Sequence, residues 1–68
     1  PNPTNGVFII EHLSSPANLI IRDMNGKIRQ QQSIEPKEFV NIKDLGKGTY
    51  LIEIQIDNNS KIIRLITY

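Results

Sequence analysis

The sequence predicts an all-β domain, a small antiparallel sandwich or barrel, and three observations point to it. β-Branched and aromatic runs recur at short intervals along the 68 residues, and residues with turn chemistry separate them. No apolar stripe at i, i+3, i+4, i+7 competes anywhere. Sequential hairpins supply most of the connections, and the N-terminal segment, paired non-locally, is expected to complete a second sheet.

The elements follow in order. GVFIIEHL (residues 6–13) is β-branched and aromatic, as a half-buried strand should be. SSPAN (14–18) breaks it, because Pro16 lacks a donor and biases Ser15 toward extended geometry. LIIRD (19–23) resumes, with Leu19 and Ile21 on one face and Ile20 and Arg22 on the other. In MNGK (24–27), Asn25-Gly26 is the pair best suited to a two-residue hairpin turn. IRQQQSI (28–34) alternates poorly, and its glutamine run reads as an edge or solvent-facing strand.

EPKE (35–38) is a loop, and FVNIKDL (39–45) is extended again with Val40 and Ile42 on a common face. GKG (46–48) turns the chain into TYLIEIQI (49–56), which has the clearest alternation: Tyr50, Ile52, Ile54 and Ile56 against Leu51, Glu53 and Gln55. This is read as the central strand. DNNS (57–60) is a hairpin loop, and KIIRLITY (61–68) is the last strand.

A single small domain removes only about 60% of its unfolded surface from water, so the core is thin. With no cysteine, neither a disulfide framework nor a thiolate metal site is available to stiffen it. The net charge is +1, and Arg22, Lys27, Arg29, Lys37, Lys43, Lys47, Lys61 and Arg64 are dispersed rather than clustered. Nucleic-acid binding usually demands a basic footprint with aromatic platforms; Phe8, Phe39, Tyr50 and Tyr68 are the only aromatics, and no such partner is expected. No apolar run approaches the roughly 18 residues of a membrane helix, and no signal-peptide pattern opens the chain. Pro1 is not an initiator methionine, so a fragment of a larger protein is expected.

Candidate chemistry is sparse. His12, the only histidine, is too close in an extended strand to Ser14 and Ser15 to form a triad, and a surface role is the expectation. Glu11, Asp23, Glu35, Glu38, Asp44, Glu53 and Asp57 read as solvated faces and turn caps. DMNG (23–26) and DNN (57–59) lack the later bidentate glutamate of a calcium loop. Gly26 and Gly48 precede strands where a positive φ is cheap only for glycine, and no phosphate-binding glycine pattern is present. The residues thus predict a non-catalytic module without cofactor or metal.

The ordered set of turn motifs carries more. PNPTNG (1–6), LIIRDMNGK (19–27), NIKDLGKGTYLIEI (41–54) and KIIRLITY (61–68) together resemble the type A C-terminal sorting domain of the type IX (Por) secretion system. The opening PNP-x-x-G pattern falls on Pro1, Asn2, Pro3 and Gly6, and the D-x-x-G-K/R hairpin on Asp23, Gly26 and Lys27. The L-x-x-G-x-Y element falls on Leu45, Gly48 and Tyr50, and the terminal basic-then-apolar strand on Arg64, Leu65, Ile66 and Thr67. Three positions depart from the pattern: Gly46 stands where proline is common, Arg64 replaces lysine, and Thr67 replaces a second cation.

The resemblance implies an immunoglobulin-like antiparallel β-sandwich of about seven strands, covering residues 1–68 as one domain at the C-terminal end of a larger secreted protein. It implies an address rather than a catalyst. The partners would be an N-terminal cargo domain, the outer-membrane translocon with its shuttle proteins, and a sortase-like peptidase that removes the domain. The route would run through the periplasm to the cell surface or the medium. An immunoglobulin-like adhesion or carbohydrate-binding module is the competing expectation, since fold alone does not exclude it.

Overall fold

The computed structural model describes residues 6–10 and 13–67. Among them are six strands and no helix: β1 (Val7–Ile9), β2 (Ala17–Asp23), β3 (Ile28–Ile34), β4 (Phe39–Asn41), β5 (Gly48–Ile56) and β6 (Asn59–Thr67). They form an antiparallel four-stranded sheet in the order β3-β2-β5-β6 and a two-stranded sheet of β1 and β4. The N-terminal strand does pair non-locally and build a second sheet, as expected. TYLIEIQI is internal, between β2 and β6, and IRQQQSI is an edge.

Register explains the core. Leu19, Ile21 and Asp23 of β2 lie opposite Ile54, Ile52 and Tyr50 of β5, and Tyr50 and Ile52 lie opposite Leu65 and Ile63 of β6. Side chains alternate across a strand, so one face of the sheet gathers Leu19, Ile21, Tyr50, Ile52, Ile54 and Leu65, all buried. Val40 of β4 and Ile42 just after it join the same cluster, which is how the small sheet packs on the large one. Gln30 ties the two sheets together: its Nε2 donates to the carbonyl oxygen of Asn41 in β4 at 3.0 Å and, within β3, to Gln32 Oε1 at 2.7 Å.

Several boundaries differ from the expectation. β1 stops at Ile9, short of residue 13, while Ile10 and Leu13 still pack on the core. β2 begins at Ala17, directly after Pro16, and β4 ends at Asn41 because Ile42 to Leu45 close a turn, with Leu45 N–H donating to the Ile42 carbonyl at 3.1 Å. β6 begins at Asn59, which leaves only Asp57 and Asn58 as the loop.

The Asn25-Gly26 turn is also corrected. Asp23 N–H donates to the Lys27 carbonyl at 2.9 Å and Gly26 N–H to the Asp23 carbonyl at 3.0 Å, so three residues, Met24, Asn25 and Gly26, form the loop. Only Gly26 of these takes a positive φ, 88°. This is the three-residue hairpin with a left-handed glycine, not the two-residue turn.

Candidate functional site

The motif residues within the described region converge on one end of the large sheet. β2 ends there, β5 begins there and β6 approaches its end there. In a single transverse row Asp23 lies opposite Tyr50 and Tyr50 opposite Leu65; in the next, Arg22 lies opposite Leu51 and Leu51 opposite Arg64. Residues from 13 (Leu51 and Arg64) to 29 (Arg22 and Leu51) positions apart thus become neighbours. Pro1, Asn2 and Pro3 lie outside the described residues, as do Glu11, His12 and Tyr68.

Each motif has a local physical cause. Asp23 turns its Oδ1 back into the hairpin, accepting from Asn25 N–H at 2.9 Å and Lys27 N–H at 3.0 Å. The carboxylate thereby satisfies two loop donors that the β ladder leaves out. Gly26 supplies the left-handed residue the same loop requires. Lys27 is placed by its backbone; its side chain is exposed.

The second motif is a corner. The Tyr50 hydroxyl, buried at the start of β5, donates to the Leu45 carbonyl and lies 3.2 Å from the Gly46 carbonyl. Leu45 is buried beneath it. Gly48, at φ 148°, passes against the Tyr50 ring, where an added Cβ would sit 3.7 Å from the ring edge. Leucine, glycine and tyrosine at this spacing are therefore one device that folds the 42–48 loop onto the sheet. Gly46 has φ 80°, which proline cannot adopt, so the departure at this position reshapes the turn.

Gly6 is buried, its carbonyl accepting from Ile42 N–H at 2.7 Å, which ties the opening motif to the same loop. In the terminal motif the roles split by face. Leu65, 1% exposed, is core; Arg64 and Ile66 lie on the opposite, outer face and are exposed.

Two features escaped the sequence reading. Arg22 Nη1 donates to Glu53 Oε1 at 2.8 Å, and Gln55 Nε2 donates to Glu53 Oε2 at 3.0 Å. The Arg22 bond, then the Gln55 bond, holds the Glu53 carboxyl below its ordinary value of 4.5. Ile20 beside them is only 6% exposed although it points away from the core; it sits between Gln31 and Glu53 on the neighbouring strands. The alternation that put Ile20, Arg22 and Glu53 on outward positions was the available signal. Among the described residues no group of three or more His, Cys, Asp or Glu is placed to hold a metal ion, and no helix is long and apolar enough to cross a membrane.

These hairpins and corners define an antiparallel all-β domain whose distinguishing residues are spent on turns and one sheet end. The chain matches the family described as the secretion system C-terminal sorting domain over residues 1–68, and it belongs to that family. It is a C-terminal sorting signal of type IX secretion, directing export toward the cell surface or the medium. No curated protein and no solved structure matches it.

Proposed function

We propose that this chain is a folded, non-catalytic export address that carries an N-terminal cargo domain through the periplasm. It engages the outer-membrane translocon and its shuttle proteins, and a sortase-like peptidase then removes it. The observation that carries this reading is the gathering of the motif residues at one end of one sheet. Asp23, Tyr50 and Leu65 share a row there, with Tyr50 and Leu65 buried beneath it, which supports reading the motif residues as the framework of one sheet end.

The immunoglobulin-like reading of the fold belongs to the same proposal. It is supported by the antiparallel four-plus-two arrangement and by the Tyr50 corner, since a tyrosine bonding back to the backbone just upstream is a hallmark of such sandwiches. A seventh strand would complete the count.

The test is transfer. Residues 1–68 fused behind a periplasmic reporter should carry it to the surface or medium in cells with an intact type IX system, and the reporter should accumulate in the periplasm when the translocon is deleted. A reporter that stays periplasmic in both strains would sink the reading. Removing residues 64–68 is a poorer test than it looks from the sequence, because it also takes Leu65 out of the core.

A further inference from the structure

The two edges of the large sheet are not alike. At the β3 edge, the β2 pairing shifts register between Ile21 and Arg22, and the glutamine-rich strand is fastened to β4 through Gln30. β6 runs opposite β5 over nine residues with no shift in register. It contains no proline, and Lys61, opposite Ile54 on the side of the core, is its one inward charge of the kind that blunts an edge. Edges that long and regular are usually blunted, because their open N–H and C=O groups template another strand.

The hairpin fixes which groups are open. Ile56 and Asn59 flank the two-residue loop and form its closing hydrogen-bonded pair. Hydrogen-bonded and non-hydrogen-bonded pairs alternate, so Lys61, Ile63 and Leu65 exchange bonds with β5. Ser60, Ile62 and Arg64 therefore turn their backbone groups away from it, to the side where no strand lies among the described residues. The same three residues put their side chains on the outer face. Ile62 is 62% exposed there, and Arg64 is exposed two positions on.

Charge selects the occupant. Among the described residues, ion pairs join Arg22 to Glu53 and Arg29 to Asp23, and neither involves Arg64. Glu53, on the strand beside Arg64, already has one oxygen on Arg22 and the other on Gln55. A second copy of this chain would bring another Lys61 and Arg64 to the same edge, adding like charges.

We propose that the β6 edge from Ser60 to Arg64 is a strand-addition site for an extended segment of a partner protein, one carrying an acidic side chain against Arg64 and an apolar side chain against Ile62. Backbone bonds to Ser60, Ile62 and Arg64 give affinity, and the two side-chain contacts give selectivity. This inference rests on the sorting reading, since it names the surface through which the address is read.

The probes are two synthetic peptides of alternating valine and threonine, one with a central glutamate and one with a central lysine, titrated into the intact protein. Hydrogen exchange should slow at Ile62 and Arg64 with the glutamate peptide, which should bind at least tenfold more tightly than the lysine peptide. Arg64→Glu should reverse that preference. Ile62→Pro should abolish binding while leaving the unfolding temperature within a few degrees, because an outward N–H on an edge strand is where proline is tolerated. Equal binding of the two peptides, binding that survives Ile62→Pro, or protection confined to β3 would overturn the proposal, as would a self-associated protein that Ile62→Pro makes monomeric. Secretion separates the two readings: if the 1–68 fusion is exported and Ile62→Pro and Arg64→Glu fusions are exported equally well, the edge proposal fails while the sorting signal stands.

Discussion

Tyr50 shows how one side chain can account for a whole motif. Its ring fills the core between Asp23 and Leu65, and its hydroxyl reaches back to the Leu45 carbonyl. Tyr50→Phe keeps the ring and leaves the buried carbonyl without that donor, so it should cost about 1–2 kcal/mol. Urea unfolding would measure this, with a fall in melting temperature of about 4–8 °C per kcal/mol for a domain of this size. The glycines of the motifs divide by cause. Gly26→Ala, forced to φ 88°, should cost about 1–2 kcal/mol. Gly6→Ala would meet only the flexible Lys43 stem, at 3.3 Å, and should stay within about 0.5 kcal/mol. Equal penalties at the two positions would contradict the geometry. The sequence made the glycine at 26 legible because the loop demands it; the Tyr50 bond was illegible because it depends on a loop folding back.

At the scale of elements, strands were legible wherever a side-chain period or a turn residue marked them, and their ends were not. Residues 28–34 and 49–56 carry patterns the sheet simply uses, β5 adding one residue, Gly48, at its start. The two-residue loop before β6 was missed because Asn59 and Ser60 have turn-forming side chains, yet the register extends through them. The Gln30 tie was missed because a glutamine's partner lies on another sheet. The turn from Glu35 to Glu38 offers a direct check. Glu38 N–H donates to the Glu35 carbonyl at 3.1 Å, Pro36 takes the second position, and Lys37 the third with φ 68°. That is a type II turn with the wrong residue for its left-handed position. Lys37→Gly should raise stability by about 0.5–1 kcal/mol, the relief of left-handed strain less the entropy of glycine; thermal unfolding would show it as a higher midpoint, and no change would place the strain elsewhere.

For the whole molecule, the all-β class and the non-local second sheet were readable, while the order β3-β2-β5-β6 was not. Pairing β2 with β5 joins Asn18 to Gln55, and nothing local in either strand names its partner. The Arg22–Glu53 pair crosses that junction, and its pH dependence follows from sign. Glu53 is more acidic folded than unfolded, so its contribution is fully present above its ordinary value of 4.5 and disappears as pH falls through the lower folded value. Glu53→Gln should therefore flatten the part of the acid limb of stability that lies below pH 4.5, measured as the urea midpoint at each pH. A variant that keeps the full acid limb would assign it to other carboxylates.

The row Asp23, Tyr50, Leu65 has a temporal consequence. The β2–β3 and β5–β6 hairpins close locally, on the order of 1–10 μs. Joining them along β2 and β5 demands a longer loop closure and comes more slowly. Before that junction forms the chain has both hairpins and every motif residue but no row; only afterwards do the three positions stand side by side. Burial of Tyr50 and Leu65 at this sheet end is thus complete only after the two hairpins have joined.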